Sequence, residues 1–289
     1  MLTVLASIPS PPWRSLGPFQ AYGLMIAIGV LLGVELARRR FAGKGGDPDD
    51  FSNIAVWAVP AGLVGSRVYH VVTDYQRFTD DWVDVFRIRE GGLGIPGGLL
   101  FGVAVGVFMG RRKGISLPVG LDCVAPGLAV AQAVGRLGNW FNQELYGSAS
   151  SLPWAVEIDA QYAPDNVAGT FHPVFLYEGL WNLTLAWVLI KLDNRKVLRP
   201  GSIFALYVMG YAMIRFILEF VRVDEATQLL GLRVNIWVSG VAFGLALLAL
   251  VLRRGERSSE EREPYPGRDH TSLDDDLAEP EPRRVSRGG

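Results

Sequence analysis

Gly135-Arg136-Leu137-Gly138-Asn139-Trp140-Phe141-Asn142-Gln143-Glu144-Leu145-Tyr146-Gly147 closes an apolar run that begins near Leu117. These thirteen residues hold one cation, one anion, two asparagines, one glutamine and three glycines. An arginine at the end of a membrane-length run is costly to bury unless it has a partner or a task. On a helix, Arg136 and Asn139 stand three apart and share a face. Gly135 and Gly138 leave room for something close to that face. A guanidinium is a fixed fork of donors suited to phosphate or carboxylate. Two readings stand here: an interfacial arginine that snorkels from a glycine-rich helix end, or a site for an anion.

The rest of the chain decides where that helix sits. Of 289 residues 49% are hydrophobic and 20% charged, and the charges cluster between long apolar runs. That is the profile of a polytopic membrane protein rather than a soluble domain. The single cysteine, Cys123, excludes an intrachain disulfide and reads as a small buried filler. Three scattered histidines make no metal-ligand spacing. Met1–Pro12 lacks a basic n-region, so the first transmembrane helix is expected to serve as the targeting signal.

Seven runs approach the ~20 residues that a helix needs to cross a bilayer. They lie at about Tyr22–Leu36, Asn53–Val72, Gly92–Gly110, Leu117–Gly138, Pro173–Ile190, Gly201–Phe220 and Val234–Leu252. The expected fold is all-α, with about seven transmembrane helices in residues 1–254, a small extracytoplasmic head at 139–172 and a disordered cytoplasmic tail at 255–289. Fourteen lysines and arginines flank the ends on one side (the group after the first run is Arg38, Arg39, Arg40 and Lys44), against six on the other: Arg14, Arg77, Arg87, Arg89, Arg222 and Arg233. The positive-inside rule puts the fourteen in the cytoplasm, the N-terminus outside and the C-terminus inside. The tail is rich in Glu, Asp, Arg, Pro and Ser and too poor in apolar residues to fold.

That topology brings the intramembrane polar residues to one depth. Tyr22, Arg67, Arg136, Glu178, Tyr211, Arg215 and Glu219 all fall in the outer half. The inner half has only Glu35 and Asp122, with no cation to match. Three arginines could pair with Glu178, Glu219 and Glu144. A purely structural ion-pair cluster and a site for an anionic lipid headgroup both fit. Tyr211, Arg215 and Glu219 are spaced i, i+4, i+8 and share a helical face. Pro173 suits a first helical turn, and His172 reads as a cap or interface group. Gly91–Gly98 is glycine-rich enough for close backbone approach.

The stretch Gly135–Gly147 closely resembles the signature of the bacterial prolipoprotein diacylglyceryl transferases. Tyr22-Gly23-Leu24-Met25, Gly65-Ser66-Arg67, His172-Pro173 with Leu176-Tyr177-Glu178, and Tyr211 with Arg215 and Glu219 resemble further motifs of that family. The likeness spans about Phe19 to Leu252. It implies transfer of a diacylglyceryl group from phosphatidylglycerol to the lipobox cysteine of a preprolipoprotein, releasing glycerol phosphate at the bacterial plasma membrane. It implies no cofactor, no metal and no nucleic acid, with lipids as the surrounding partners. By the same resemblance Arg136, Arg215, Tyr22, Asn139 and Glu144 would carry the chemistry. Arg136, Arg67, Glu178, Tyr211, Glu219, Gly97, Gly98 and Gly147 would bind substrate. One departure is plain: some members have a histidine before the paired glycines of the third helix, where this chain has Pro96.

Three other classes compete. A lipid or anion transporter would want cations at membrane depth but also access from both faces. An intramembrane protease would need a Ser–His or paired-Asp arrangement, for which Ser66 and His70 are poorly placed. A lipid-binding scaffold would share the site but not turn over.

Overall fold

The computed structural model describes residues 7–17, 19–79, 81–87, 92, 94–223 and 227–252. The tail expected beyond 254, Arg89, Gly91 and the basic group at 253–257 lie outside the described residues. All seven expected helices form: α1 (Ala21–Ala42), α2 (Pro48–Thr73), α3 (Ile95–Arg112), α4 (Leu117–Asn142), α5 (Val174–Asn194), α6 (Ser202–Leu218) and α7 (Val234–Leu252). Three two-stranded antiparallel hairpins accompany them: β1 (Ser15–Leu16) with β2 (Phe19–Gln20), β3 (Val156–Ile158) with β4 (Gly169–Phe171), and β5 (Gln228–Leu229) with β6 (Leu232–Arg233). α1, α2, α4 and α7 are each long and apolar enough to cross a membrane. α6 is a shorter apolar helix, while α3 ends in Arg111 and Arg112 and α5 carries Glu178 and Asn182. The chain is a polytopic, mostly helical membrane protein.

α4 is the central post, packing against α1, α5 and α6. In hydrocarbon no hydrophobic drive brings helices together, so close backbone approach through small residues must. At the α1–α4 seam a Cβ added to Gly29 would stand 2.8 Å from the Ala131 carbonyl oxygen, and one added to Gly33 would stand 2.9 Å from that of Gly127. α2 and α3 form a second tight pair through Gly65, Gly97 and Gly98, and that pair leans on the rest mainly through α1.

The helix ends follow local chemistry. Pro48 opens α2 at a position where its missing N–H costs nothing, and Asp47 caps it by accepting from the Asp49 N–H at 2.9 Å. Asp122, inside α4, caps a different helix: its carboxylate accepts from the Gly201 N–H at 2.7 Å and the Phe204 N–H at 2.9 Å, at the start of α6. That answers for one of the two acids expected in the inner half. The other, Glu35, is not without cations, because α1 runs on past Leu36 and brings Arg38 (2.9 Å) and Arg39 (2.6 Å) back onto it. Arg40 and Lys44 clamp Asp193 at the end of α5, tying α1 to α5 at the basic ends.

α4 continues to Asn142, beyond the expected start of the head. It stops at Gln143, whose φ of 54° turns the chain out of the helix. The Gln143 side chain then donates to Asp159 (2.6 Å) and accepts from the Asp159 N–H (2.7 Å), pinning the 144–173 segment onto the helix end. β3 and β4 form a small core there from Val156, Ile158, Phe171 and Phe175. The N-terminal segment crosses that head: Ile8 bridges to Val156, and Arg14 donates to the carbonyls of Phe141 and Asn142.

Candidate active site

Three helices, α4, α5 and α6, meet near the C-terminal end of α4, and one buried carboxylate joins them. Glu178, on the second turn of α5, is 0% exposed. Arg136 of α4 donates to its Oε1 at 2.6 Å, and Arg215 of α6 donates to its Oε2 at 3.3 Å. The shared carboxylate therefore sets two guanidinium groups side by side. Arg215 also donates to Glu219 at 3.3 Å, one turn further along α6. Glu219, 2% exposed, is held from its other side by Arg233 at 2.7 Å and by the Asn235 amide at 3.1 Å. The result is an alternating row, Arg136–Glu178–Arg215–Glu219–Arg233.

A second branch leaves Arg136 through Asn139, three residues on. Arg136 donates to Asn139 Oδ1 at 3.2 Å, and Asn139 Nδ2 donates to Glu144 at 2.8 Å. Asn142 reaches the same Glu144 oxygen at 3.2 Å. One amide thus links a guanidinium to a carboxylate just past the helix end. Tyr22, on the first turn of α1, lies in the fields of both Glu144 and Arg136. Its ring packs where Gly138 has no side chain: a Cβ there would stand 2.7 Å from Tyr22 Cδ2. The Tyr211 hydroxyl is a hydrogen-bond partner of Arg136. Gly147 sits against His172 and Val221, so that its backbone N–H reaches the His172 carbonyl at 2.9 Å and its chain bridges Arg222.

The structure thus gathers Tyr22, Arg136, Asn139, Glu144, Glu178, Tyr211, Arg215 and Glu219 in one place, with Gly147 at its edge. It does not bring Arg67 to this row. Arg67 donates instead to the carbonyls of Val85 (2.8 Å), Gly92 (3.0 Å) and Asp84, holding the segment between α2 and α3. The third arginine in the ion pairs is Arg233, and Glu144 is bound by amides rather than by a cation. The expected pairing of Arg67 fails because backbone carbonyls close to it supply the acceptors. Gly97 and Gly98 belong to the α2–α3 seam, where a Cβ would collide with Gly65 or Ser66. Pro96 lies in the first turn of α3, where a proline fits. His172 meets the Tyr177 hydroxyl at 3.1 Å, and Trp154 donates to that hydroxyl at 3.0 Å.

Arg233 and Asn235 were not legible as site residues. The only available signal was a cation at the very start of the seventh apolar run, at the depth of Glu219. No group of three or more His, Cys, Asp or Glu among the described residues is placed to hold a metal ion. Chemically, two adjacent guanidinium groups and a nearby carboxylate can grip a phosphate and accept a proton beside it.

A model of the prolipoprotein diacylglyceryl transferase family matches residues 13–252. The chain belongs to this family. The transferase is 49% identical over 280 residues to a phosphatidylglycerol–prolipoprotein diacylglyceryl transferase of Streptomyces griseus, which covers 94% of this chain and 85% of the relative. It is 50% identical over 271 residues to one from Streptomyces coelicolor (91% and 78%) and 45% identical over 282 residues to one from Corynebacterium glutamicum (90% and 89%). The matched span, residues 13–252, contains all seven helices and the charged row. The activity of this membrane-embedded enzyme is prolipoprotein diacylglyceryl transfer.

Proposed function

We propose that the row built on Glu178 holds the phosphate of phosphatidylglycerol while the lipobox thiol of a preprolipoprotein displaces it. The observation that carries this reading is the shared carboxylate, which holds the guanidinium groups of Arg136 and Arg215 on one side chain. Three guanidinium groups against two carboxylates leave the row one positive charge, which matches the single negative charge of a phosphodiester. The sulfur attacks the glycerol carbon that bears the phosphate ester. The S–C bond forms, the C–O bond breaks, and the electron pair leaves on the phosphate of glycerol phosphate. Charge grows on that phosphate as the bond breaks, which is where fixed donors lower the barrier most.

The thiol begins near a pKa of about 8.5 and is pulled down by neighbouring guanidinium charge. Pro96 excludes a histidine base at the start of α3. Glu144 takes the proton in this reading, supported by its link to Arg136 through Asn139, with Tyr22 beside both as the alternative acceptor. Arg67, Gly97 and Gly98 contribute by fixing the α2–α3 wall rather than by touching the phosphate. We place the catalytic domain within residues 1–254. The basic helix ends face the cytoplasm and the 144–173 head faces outward, since lysine and arginine crowd one side only.

Incubating the reconstituted enzyme with phosphatidylglycerol and a lipobox peptide, then weighing the peptide, tests the reading. The expected product carries a diacylglyceryl thioether, and a Cys→Ser peptide gains nothing. Folded enzyme that binds phosphatidylglycerol yet leaves the peptide mass unchanged overturns it in favour of a lipid-binding scaffold.

A further inference from the structure

On the other side of the α1–α4 seam lies a cavity of about 360 Å³, bounded by α1, α2, α3 and α4. Its walls are apolar, with Val34, Ile54, Val107 and Val124 among them, and its polar lining is confined to Arg111 and Ser116 at the basic end. Along α4 it runs from Leu117 to Ala131, which is roughly 21 Å of helix at ~1.5 Å per residue. Glycines make it wide: a Cβ at Gly106 or Gly110 would meet nothing nearer than 3.9 Å.

This cavity is separate from the charged row. None of the row's residues lines it, and Ala131 is packed against Gly29, and Gly127 against Gly33, so α1 and α4 are in direct backbone contact along that stretch. Arg136 is five residues beyond Ala131, about 140° further round α4, and points to α5. An apolar void of this size is costly to leave empty, because its lining loses contact atoms. Its apolar walls give water no partners, so it stays dry. Inside a bilayer the abundant apolar filler is an acyl chain.

The charges at the mouth name the kind of lipid. Lys113 is paired with Asp50 at 2.5 Å, and Arg112 lies over the Phe108 ring at 4.8 Å. Arg111 makes no ion pair or side-chain hydrogen bond among the described residues, and it is exposed at the C-terminal end of α3 while lining the cavity. We infer that this cavity binds one acyl chain of an anionic phospholipid drawn from the leaflet at the basic helix ends, with Arg111 meeting its phosphate. The bound chain fills the gap between the α2–α3 pair and the α1–α4 pair, which touch chiefly through α1. This site is independent of the transfer reaction and does not rest on it.

Native mass spectrometry of the full-length enzyme in detergent tests the inference. The protein is titrated with phosphatidylserine or with phosphatidylcholine of the same chains. The wild type should retain one tightly bound phosphatidylserine. Arg111→Gln should hold phosphatidylserine no better than phosphatidylcholine, a loss of about fivefold in preference for removal of one basic contact. Gly106→Phe should lose the tight lipid altogether. Arg136→Ala should keep it. Equal retention by the wild type and Arg111→Gln overturns the proposal. So does loss of the lipid in Arg136→Ala, which would assign the chain to the lipid held at the charged row. Should Gly106→Phe fail to fold, Arg111→Gln decides alone, since its side chain is on an exposed helix end.

Discussion

Replacing Glu178 by glutamine separates a catalytic row from a merely structural ion-pair cluster. The side chain keeps its shape, but one end of the amide becomes a donor facing a guanidinium. Glu178 is 0% exposed, and the side chains it holds are 19% exposed at Arg136 and 14% at Arg215. Removing one partner from a buried ion pair costs about 3–5 kcal/mol. The isosteric change and the row's remaining carboxylate put the expected loss near the lower end, about 3 kcal/mol. The two arginines would then repel one another with no common anchor, and transfer should fall about 10²-fold, the scale of losing one fixed donor at a growing oxyanion. The assay is twofold: thermal unfolding in detergent, and kcat/KM for transfer to a lipobox peptide, normalised to folded protein. A Glu178→Gln enzyme that loses stability while its folded fraction transfers at the wild-type rate contradicts a catalytic role for the row. That result would leave the cluster holding the bundle together and nothing more.

Three further outcomes follow from particular contacts. Arg233→Gln should let Glu219 draw Arg215 away from Glu178 and leave the row without net charge, raising KM for phosphatidylglycerol about tenfold; the paired variant Arg233→Gln/Glu219→Gln should recover part of the loss in the same kinetics. Gly138→Leu should force Tyr22 and with it α1 outward, costing about 1–3 kcal/mol by overpacking, visible as a lower melting temperature together with lost transfer. Asp193→Asn, at the opposite end of the molecule, should lower the melting temperature by releasing Arg40 and Lys44 yet leave kcat/KM of the folded enzyme within about twofold, because distant independent sites rarely couple.

The helices were legible because apolar runs of membrane length leave few alternatives. Loop charges group Arg136, Glu178 and Arg215 in the sequence, and the fold brings them into contact; the i, i+4 spacing of Arg215 and Glu219 appears as a hydrogen bond. What did not follow was partner choice. Arg67 and Arg233 look alike in the sequence, one inside an apolar run and one at the edge of another. Only the folded chain shows that the carbonyls of Asp84, Val85 and Gly92 accept from the first, and that the β5–β6 hairpin delivers the second to Glu219. Asp122 was equally opaque, since a helix cap donated from another helix has no local signature. α1 outran its apolar stretch because Glu35 sits one turn before Arg38 and Arg39, and such pairs carry a helix into water.

Whether Arg136 and Arg215 act on one phosphate is measured directly by a double-mutant cycle on transfer from phosphatidylglycerol. Arg136→Gln and Arg215→Gln should each cost about 10²–10³ in kcat/KM. The double variant should be little worse than the poorer single, because groups that act as a unit are strongly non-additive. Losses that multiply, or an Arg136→Gln enzyme that transfers normally, would contradict a shared grip.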